Sequence, residues 1–170
     1  MQPSNILISA CLLGDSVRYD GGNKLLEHPI LRQWKQDKCL LSICPEVAGG
    51  LPIPRAPAEI QSSHDDHILV KTNNGRDVSN EFKSGAEKTL QFCFDNNIKI
   101  AILTDGSPSC GSETIYDGKF QSNKITGEGV TTLLLRKNNI QVFGENQIEL
   151  AQDSYCKLNL TIGQRPTTLS

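Results

Sequence analysis

Three of the six cysteines, Cys11, Cys44 and Cys110, stand where an α/β chain would place ligands. Each follows a short apolar run, at residues 5–9, 40–43 and 98–103. If these runs are parallel strands, their carboxyl ends share one sheet edge, and loops distant in sequence converge there. Three thiolates gathered in that way can hold a soft metal ion or an iron–sulfur cluster and leave one metal position open to a substrate. The spacing contains no close Cys-x-x-Cys pair, so a zinc ribbon or ferredoxin pattern is absent. It is equally compatible with three buried thiols, because unpaired cysteine commonly packs as a small hydrophobe. Cys39, Cys93 and Cys156 are read in that second way.

The neighbours of the first three cysteines add chemistry. Cys44-Pro45-Glu46 sets a carboxylate two residues beyond a candidate ligand, and Glu46 could activate a water or carry a proton. Ser107-Pro108-Ser109-Cys110-Gly111 sets hydroxyls beside another, and Ser107 could orient a substrate or relay that proton. Arg18, Tyr19 and Asp20 follow Cys11, and Arg55 lies among prolines; each could line a pocket or anchor a loop. His64 and His67 flank Asp65-Asp66 without a third ligand nearby and read as a solvated loop. Gly127 and Gly129 precede a helix, but the full phosphate-binding pattern is missing.

The elements that must position these residues alternate in type. The runs at 5–9, 40–43, 98–103 and 140–143 read as buried strands, and 67–71 as a possible edge strand. A short helix starts at Pro29, where proline loses no internal hydrogen bond. A second helix runs from Asn80 to about Asn96, with Phe82, Ala86, Leu90 and Cys93 on one face and Ser79 as candidate N-cap. A third runs from Val130 to about Asn138. Residues 48–58 hold two glycines and three prolines and predict a stiff loop near the site. Asp117-Gly118 is a turn signal. The order predicts an α/β fold, a three-layer Rossmann-like domain with a mainly parallel sheet. The domain is expected over 1–150, with 151–170 a polar C-terminal extension lacking a strong pattern and ending in a loose tail from Gly163.

Composition narrows the function classes. Hydrophobic residues make up 37% and charged residues 21% of 170 residues, as in ordinary globular domains. The net charge of −2 argues against a surface built to track a nucleic-acid backbone. No apolar run reaches membrane-spanning length, and the start lacks a positively charged leader. The expected location is cytoplasmic, where cysteines serve metals or catalysis more readily than disulfides.

Five segments carry a resemblance: ISACLLGDSVRYDGG, CPEVAGGLPIPRAPAEI, GRDVSNEFKSGA, SPSCGSETIYDGKF and GEGVTTLLLRKNNIQVFGE, spanning residues 8–145. The chain resembles the small iron–sulfur desulfurase family that includes thiouracil desulfurase. The resemblance implies a [4Fe-4S] cluster bound by Cys11, Cys44 and Cys110, with one iron free for the sulfur of the substrate. It implies catalytic roles for Glu46 and Ser107, and removal of sulfur from thiolated pyrimidines such as 2-thiouracil. The partner is then a small thiolated nucleobase or nucleoside, with no membrane and no stable nucleic-acid partner. One departure is Thr104-Asp105-Gly106, where family members often carry a basic residue; the acidic Asp105 could alter substrate polarity or the field at the cluster.

Three rival readings make different demands. A non-enzymatic iron–sulfur or zinc storage or sensor protein needs the three cysteines but not Glu46 or Ser107. A metal-free thiol enzyme needs one unusually acidic thiol among Cys11 and Cys110. A purely structural domain leaves the three sulfurs apart.

Overall fold

The computed structural model describes residues 4–64 and 67–163. Its centre is made by short apolar runs: β1 (Ile6–Ser9), β2 (Leu40–Ile43), β5 (Ile100–Leu103) and β8 (Gln141–Gly144) form one four-stranded sheet in the order β2-β1-β5-β8. All pairs are parallel, with Ile6 opposite Leu40, Ile8 opposite Ile102 and Leu103 opposite Gly144. Every residue of β1 and β5 is buried, as expected of parallel strands covered on both faces.

The period-2 alternation of β1 divides the core. Ile6 and Ile8 face one layer with Leu31, Trp34, Ile148 and Ala151. Leu7 faces the other with Cys93, Leu103 and Leu135. The first layer comes from α1 (Pro29–Gln36) and α5 (Ile148–Gly163), the second from α3 (Ser79–Asp95) and α4 (Val130–Lys137). This is the three-layer parallel α/β fold that the sequence predicts. The sheet order turns in opposite directions from β1, toward β2 on one side and β5 on the other, so the β1/β5 boundary is the switch point where such sheets open a crevice.

Two antiparallel hairpins stand outside the sheet. β3 (Ala58–His64) pairs with β4 (His67–Thr72), and β6 (Thr114–Tyr116) pairs with β7 (Lys124–Thr126). The first hairpin closes a satellite core with Phe82, Ala86 and Val130. His64 and His67 are exposed and pair across its end. Asp65 and Asp66 lie outside the described residues, as does the expected loose tail beyond Gly163.

Several local expectations are corrected. Residues 148–163 form a helix, whereas the sequence predicts a polar extension without a strong pattern from 151; the apolar stripe of the helix is narrow, and Tyr155 meets Trp34 edge-on at 5.8 Å between ring centres. Cys156 lies on the outer face of that helix and is exposed, whereas Cys39 and Cys93 are buried. Ser79 is not an N-cap acceptor. It opens α3, and the Asp77 carboxylate accepts its amide hydrogen at 2.9 Å and its hydroxyl at 2.6 Å.

Candidate active site

Each candidate ligand sits just beyond the carboxyl end of a central strand. Cys11 lies in a single 3₁₀ turn, Ala10–Leu13, directly after β1. Cys44 directly follows β2 and precedes α2 (Pro45–Ala48), with Pro45 at the first helical position. Cys110 follows β5 in a tight loop over Thr104–Gly111. The three thiols line one cavity of about 410 Å³, together with Glu46, Ser107, Arg18, Tyr19 and Arg55. All the residues that the sequence proposes as catalytic or as ligands are therefore brought together; Asp20, His64 and His67 are not.

Local packing explains how the loops hold this arrangement. α2 rests directly on α3. A Cβ on Gly85 would lie 2.0 Å from the Pro45 carbonyl oxygen, and one on Gly49 would lie 2.0 Å from that of Glu81. Only glycine at both points lets the Cys44-Pro45-Glu46 segment approach the helix. The Cys110 loop is docked on α4. Val130, Thr131 and Thr132 donate amide hydrogens to the carbonyls of Pro108 and Ser109, and the Thr132 hydroxyl donates to the Cys110 carbonyl at 2.9 Å. The helix start after Gly129 is thus occupied by protein carbonyls, which rules out the phosphate-binding reading of Gly127 and Gly129.

Hydroxyl groups at the β1/β5 switch point meet the sulfurs. Cys11 Sγ lies 3.0 Å from Thr104 Oγ1, and the Ser9 hydroxyl donates to Cys110 Sγ at 3.7 Å and accepts the Thr104 amide hydrogen at 3.1 Å. Sequence reasoning missed Ser9 and Thr104, because their role depends on which strands are neighbours. Burial raises all three thiols above the ordinary cysteine range. For Cys110, burial dominates, the Ser9 hydrogen bond opposes it, and Glu46, Cys44 and Cys11 add to the rise. For Cys11, burial outweighs the Thr104 hydrogen bond and the more distant Arg18 and Lys24. For Cys44, burial outweighs the backbone hydrogen bonds of Val47. None is an acidic nucleophile, which removes the support for a metal-free thiol enzyme.

Such thiols ionise when a cationic group binds them, with release of their protons. The donors are all sulfur, which selects a soft metal. One tetrahedral ion would need sulfurs about 3.8 Å apart, given metal–sulfur bonds of about 2.3 Å. No group of three His, Cys, Asp or Glu among the described residues closes around a single ion. Three separate strand ends suit a cluster, in which each thiolate meets its own iron.

Beside the thiols, Glu46 is held from two sides. Arg55 donates its Nε to Oε2 at 2.8 Å, and the Ser107 hydroxyl donates to Oε1 at 3.3 Å. Ser107 Oγ in turn accepts the amide hydrogens of Ser109 at 3.0 Å and Cys110 at 3.1 Å. Arg55 Nη2 also reaches the Val17 carbonyl at 3.0 Å, tying the loop after Cys11 to the one after Cys44.

Asp105 borders the same cavity, but its carboxylate is turned to the chain. Oδ1 accepts the amide hydrogens of Ser112, Glu113 and Thr114 at 3.0–3.1 Å, and Oδ2 accepts the Thr114 hydroxyl at 2.6 Å. Burial alone would raise its pKa, yet the four hydrogen bonds prevail and hold it at about 2. Its charge is spent on the loop that follows Cys110.

Comparison with known proteins agrees with this geometry. A solved structure described as a [4Fe-4S]-dependent thiouracil desulfidase, TudS, superposes with a TM-score of 0.84 at 45% identity, covering 94% of this chain and 99% of the other. An uncharacterized protein of Bacillus subtilis (strain 168), YbbK, is 39% identical over 148 residues, which are 84% of this chain and 97% of the relative. The model of the 2-thiouracil desulfurase family matches residues 6–147, from the first strand through the last, and takes in all three thiols, Glu46 and Ser107. On that match, and on a cavity that places those five residues together, the chain belongs to the 2-thiouracil desulfurase family.

Proposed function

We propose that this chain is an iron–sulfur-dependent desulfurase that replaces the thiocarbonyl sulfur of a small pyrimidine, such as 2-thiouracil, by oxygen. Cys11, Cys44 and Cys110 would hold its [4Fe-4S] cluster. The observation that carries the reading is the single cavity shared by three thiols, with Cys11 and Cys110 buried and Cys44 half-buried, and the Glu46–Ser107 pair. When bound, the cluster supplies a soft iron with an open position, which makes the sulfur of a thiocarbonyl a better leaving group.

The side chains of this protein supply the proton handling. A water adds its oxygen to the thiocarbonyl carbon, the carbon–sulfur bond breaks, and the two protons of the water leave with sulfide. Atoms and charge balance without an oxidant or reductant. Glu46 accepts the first proton, and the Arg55 guanidinium keeps its carboxylate turned to the cavity. Ser107 sits between Glu46 and the Cys110 loop, where its hydroxyl passes a proton or orients the base. A storage or sensor protein would need the thiols but has no use for this chain of contacts.

The occupant is a free base or nucleoside. A volume of about 410 Å³ lies toward the small end of ligand pockets, and the net charge of −2 does not favour a polyanion. No helix among the described residues is long and apolar enough to cross a membrane. All six cysteines are free, which agrees with the reducing conditions of a cytoplasmic location.

The test is anaerobic purification followed by incubation with 2-thiouracil, recording the iron–sulfur absorption band and sulfide release together. Both are expected. The band without sulfide would move the reading to another thiolated substrate or to sensing. Absence of the band after anaerobic reconstitution would overturn the cluster mechanism.

A further inference from the structure

The cavity has a second polar wall, opposite in chain position to the cysteines. It is built by the β3–β4 and β6–β7 hairpins, and it contributes Glu59, Tyr116, Phe120 and Lys124. Glu59 is the unusual member: it is only 7% exposed, yet it borders the cavity. Its Oε2 accepts the Phe120 amide hydrogen at 3.1 Å, and the described residues give Oε1 no hydrogen bond. With Oε2 engaged by the loop, Oε1 is left to accept from a group in the cavity that Glu59 borders.

The loop it holds is built with care. Phe120 and Ser122 both adopt left-handed backbone conformations, at φ 56° and 58°, which non-glycine residues rarely take. Gln61 fixes the same loop by donating to the Gly118 carbonyl at 2.9 Å. The aromatic side chain of Phe120 thereby lines the cavity, where a flat heterocycle can stack. Lys124 comes from the far strand of this hairpin. Its Nζ lies 5.7 Å from the Tyr116 ring centre and beside Gly106, where a Cβ would lie 2.9 Å from it. The missing side chain at Gly106 leaves the room that the ammonium fills.

We propose that Glu59 and Lys124 read the polar edge of the pyrimidine, with Glu59 Oε1 accepting the ring N3–H and Lys124 donating to the C4 carbonyl, an assignment that rests on the desulfurase reading above. Acceptor and donor on one wall match the lactam edge of uracil. Cytosine presents the opposite polarity there, with an unprotonated ring nitrogen and an amino group, so a carboxylate and an ammonium both repel it. The device selects the 2-thiouracil type of base over the 2-thiocytosine type at nearly equal size.

The test uses ligands that carry no sulfur and cannot turn over. Anaerobic calorimetry on the cluster-loaded protein measures the affinity for uracil and for cytosine, in wild type and in Glu59→Gln. The glutamine carbonyl still accepts the Phe120 amide hydrogen, so the loop stays in place and the amide NH₂ turns to the cavity. Wild type is expected to bind uracil at least tenfold tighter than cytosine. Glu59→Gln is expected to lose at least tenfold for uracil and to abolish or reverse the preference. Lys124→Met is expected to weaken uracil severalfold and cytosine not at all.

An unchanged uracil-to-cytosine ratio in Glu59→Gln overturns the assignment, whether or not wild type releases sulfide from 2-thiouracil. The opposite pair of results, selective uracil binding lost in Glu59→Gln but no sulfide released by wild type, leaves the base-reading wall intact and removes the desulfurase reading instead.

Discussion

Arg55 Nε lies 2.8 Å from Glu46 Oε2, and the two side chains are only 7% and 16% exposed. Arg55 Nη1 donates to the Pro52 carbonyl and Nη2 to the Val17 carbonyl, so one residue ties the proline-rich loop to the segments after Cys11 and Cys44. Removing one partner of a buried ion pair strands the other, a loss of about 3 kcal/mol. Arg55→Ala is expected to lower the urea midpoint of the cluster-free protein accordingly. Arg55→Lys should recover only part of it, because an ammonium cannot serve three acceptors in a plane. Equal midpoints for wild type and Arg55→Ala would show that the pair does not hold the fold.

Glu46 carries the proton-transfer role in the proposed reaction. Glu46→Gln keeps the size and one acceptor oxygen but cannot take a proton. It is expected to cut sulfide release by about 10²–10⁴-fold, with the iron–sulfur band retained. Ser107→Ala removes a hydroxyl that also caps two amide hydrogens. It should reduce turnover and make the band decay faster in air. Loss of the band in Glu46→Gln would instead assign Glu46 to holding the cluster.

The contact between Gly85 and the Pro45 carbonyl sets the seat of Cys44. A methyl group at 85 would meet that oxygen at 2.0 Å, too close for any rotamer adjustment to relieve. Gly85→Ala is expected to cost about 3 kcal/mol or more, despite the better helix propensity of alanine, and to reduce the iron retained per chain. Gly75→Ala is a useful contrast. No atom lies within 4 Å of its would-be Cβ, and its only penalty is a φ of +85°. It should lower stability modestly and leave the iron content unchanged, as measured by denaturation and iron assay.

These contacts mark what the sequence could and could not convey. β1 and β5 were legible because parallel strands covered on both faces are continuous apolar runs, and α3 because Phe82, Ala86 and Cys93 repeat at helical spacing. β7 was not, since all three of its residues are exposed and only hairpin register makes it a strand. The stripe of α5, Ile148, Ala151, Tyr155 and Leu158, is too narrow to stand out among polar neighbours. At the site, the cysteines could be placed from strand ends alone. Ser9 and Thr104 could not, because a hydroxyl reaches a sulfur there only when β1 and β5 are neighbours. Arg55 could be proposed for the pocket, but its bond to Glu46 depends on the path of the proline-rich loop between them.

The six thiols differ sharply in access. Cys156 is exposed, while Cys93 is fully buried and burial pushes its thiol up to about 12. A thiol-specific alkylating reagent is expected to modify Cys156 first in the native cluster-loaded protein, and Cys93 only on unfolding. Peptide mapping after brief labelling checks the order; early modification of Cys93 would contradict the packing of α3 on the sheet.

Asp105 links this fold to pH. Its carboxyl titrates at about 2 in the folded chain against an ordinary 3.8, through the Thr114 hydroxyl and three amide hydrogens. A depressed carboxyl pKa stabilises the fold fully above the unfolded value and loses its effect as pH falls from about 4 through 2. The group is partly exposed, so solvent screening reduces the contribution to about 1 kcal/mol. Asp105→Asn in the cluster-free protein is therefore expected to be less stable than wild type by about that amount at pH 7. The gap should shrink toward pH 2.5, because wild type loses at acid pH what the variant never had. Urea unfolding of both proteins at the two pH values measures it. A gap that stays constant would mean that Asp105 acts through hydrogen-bond geometry alone and not through its charge.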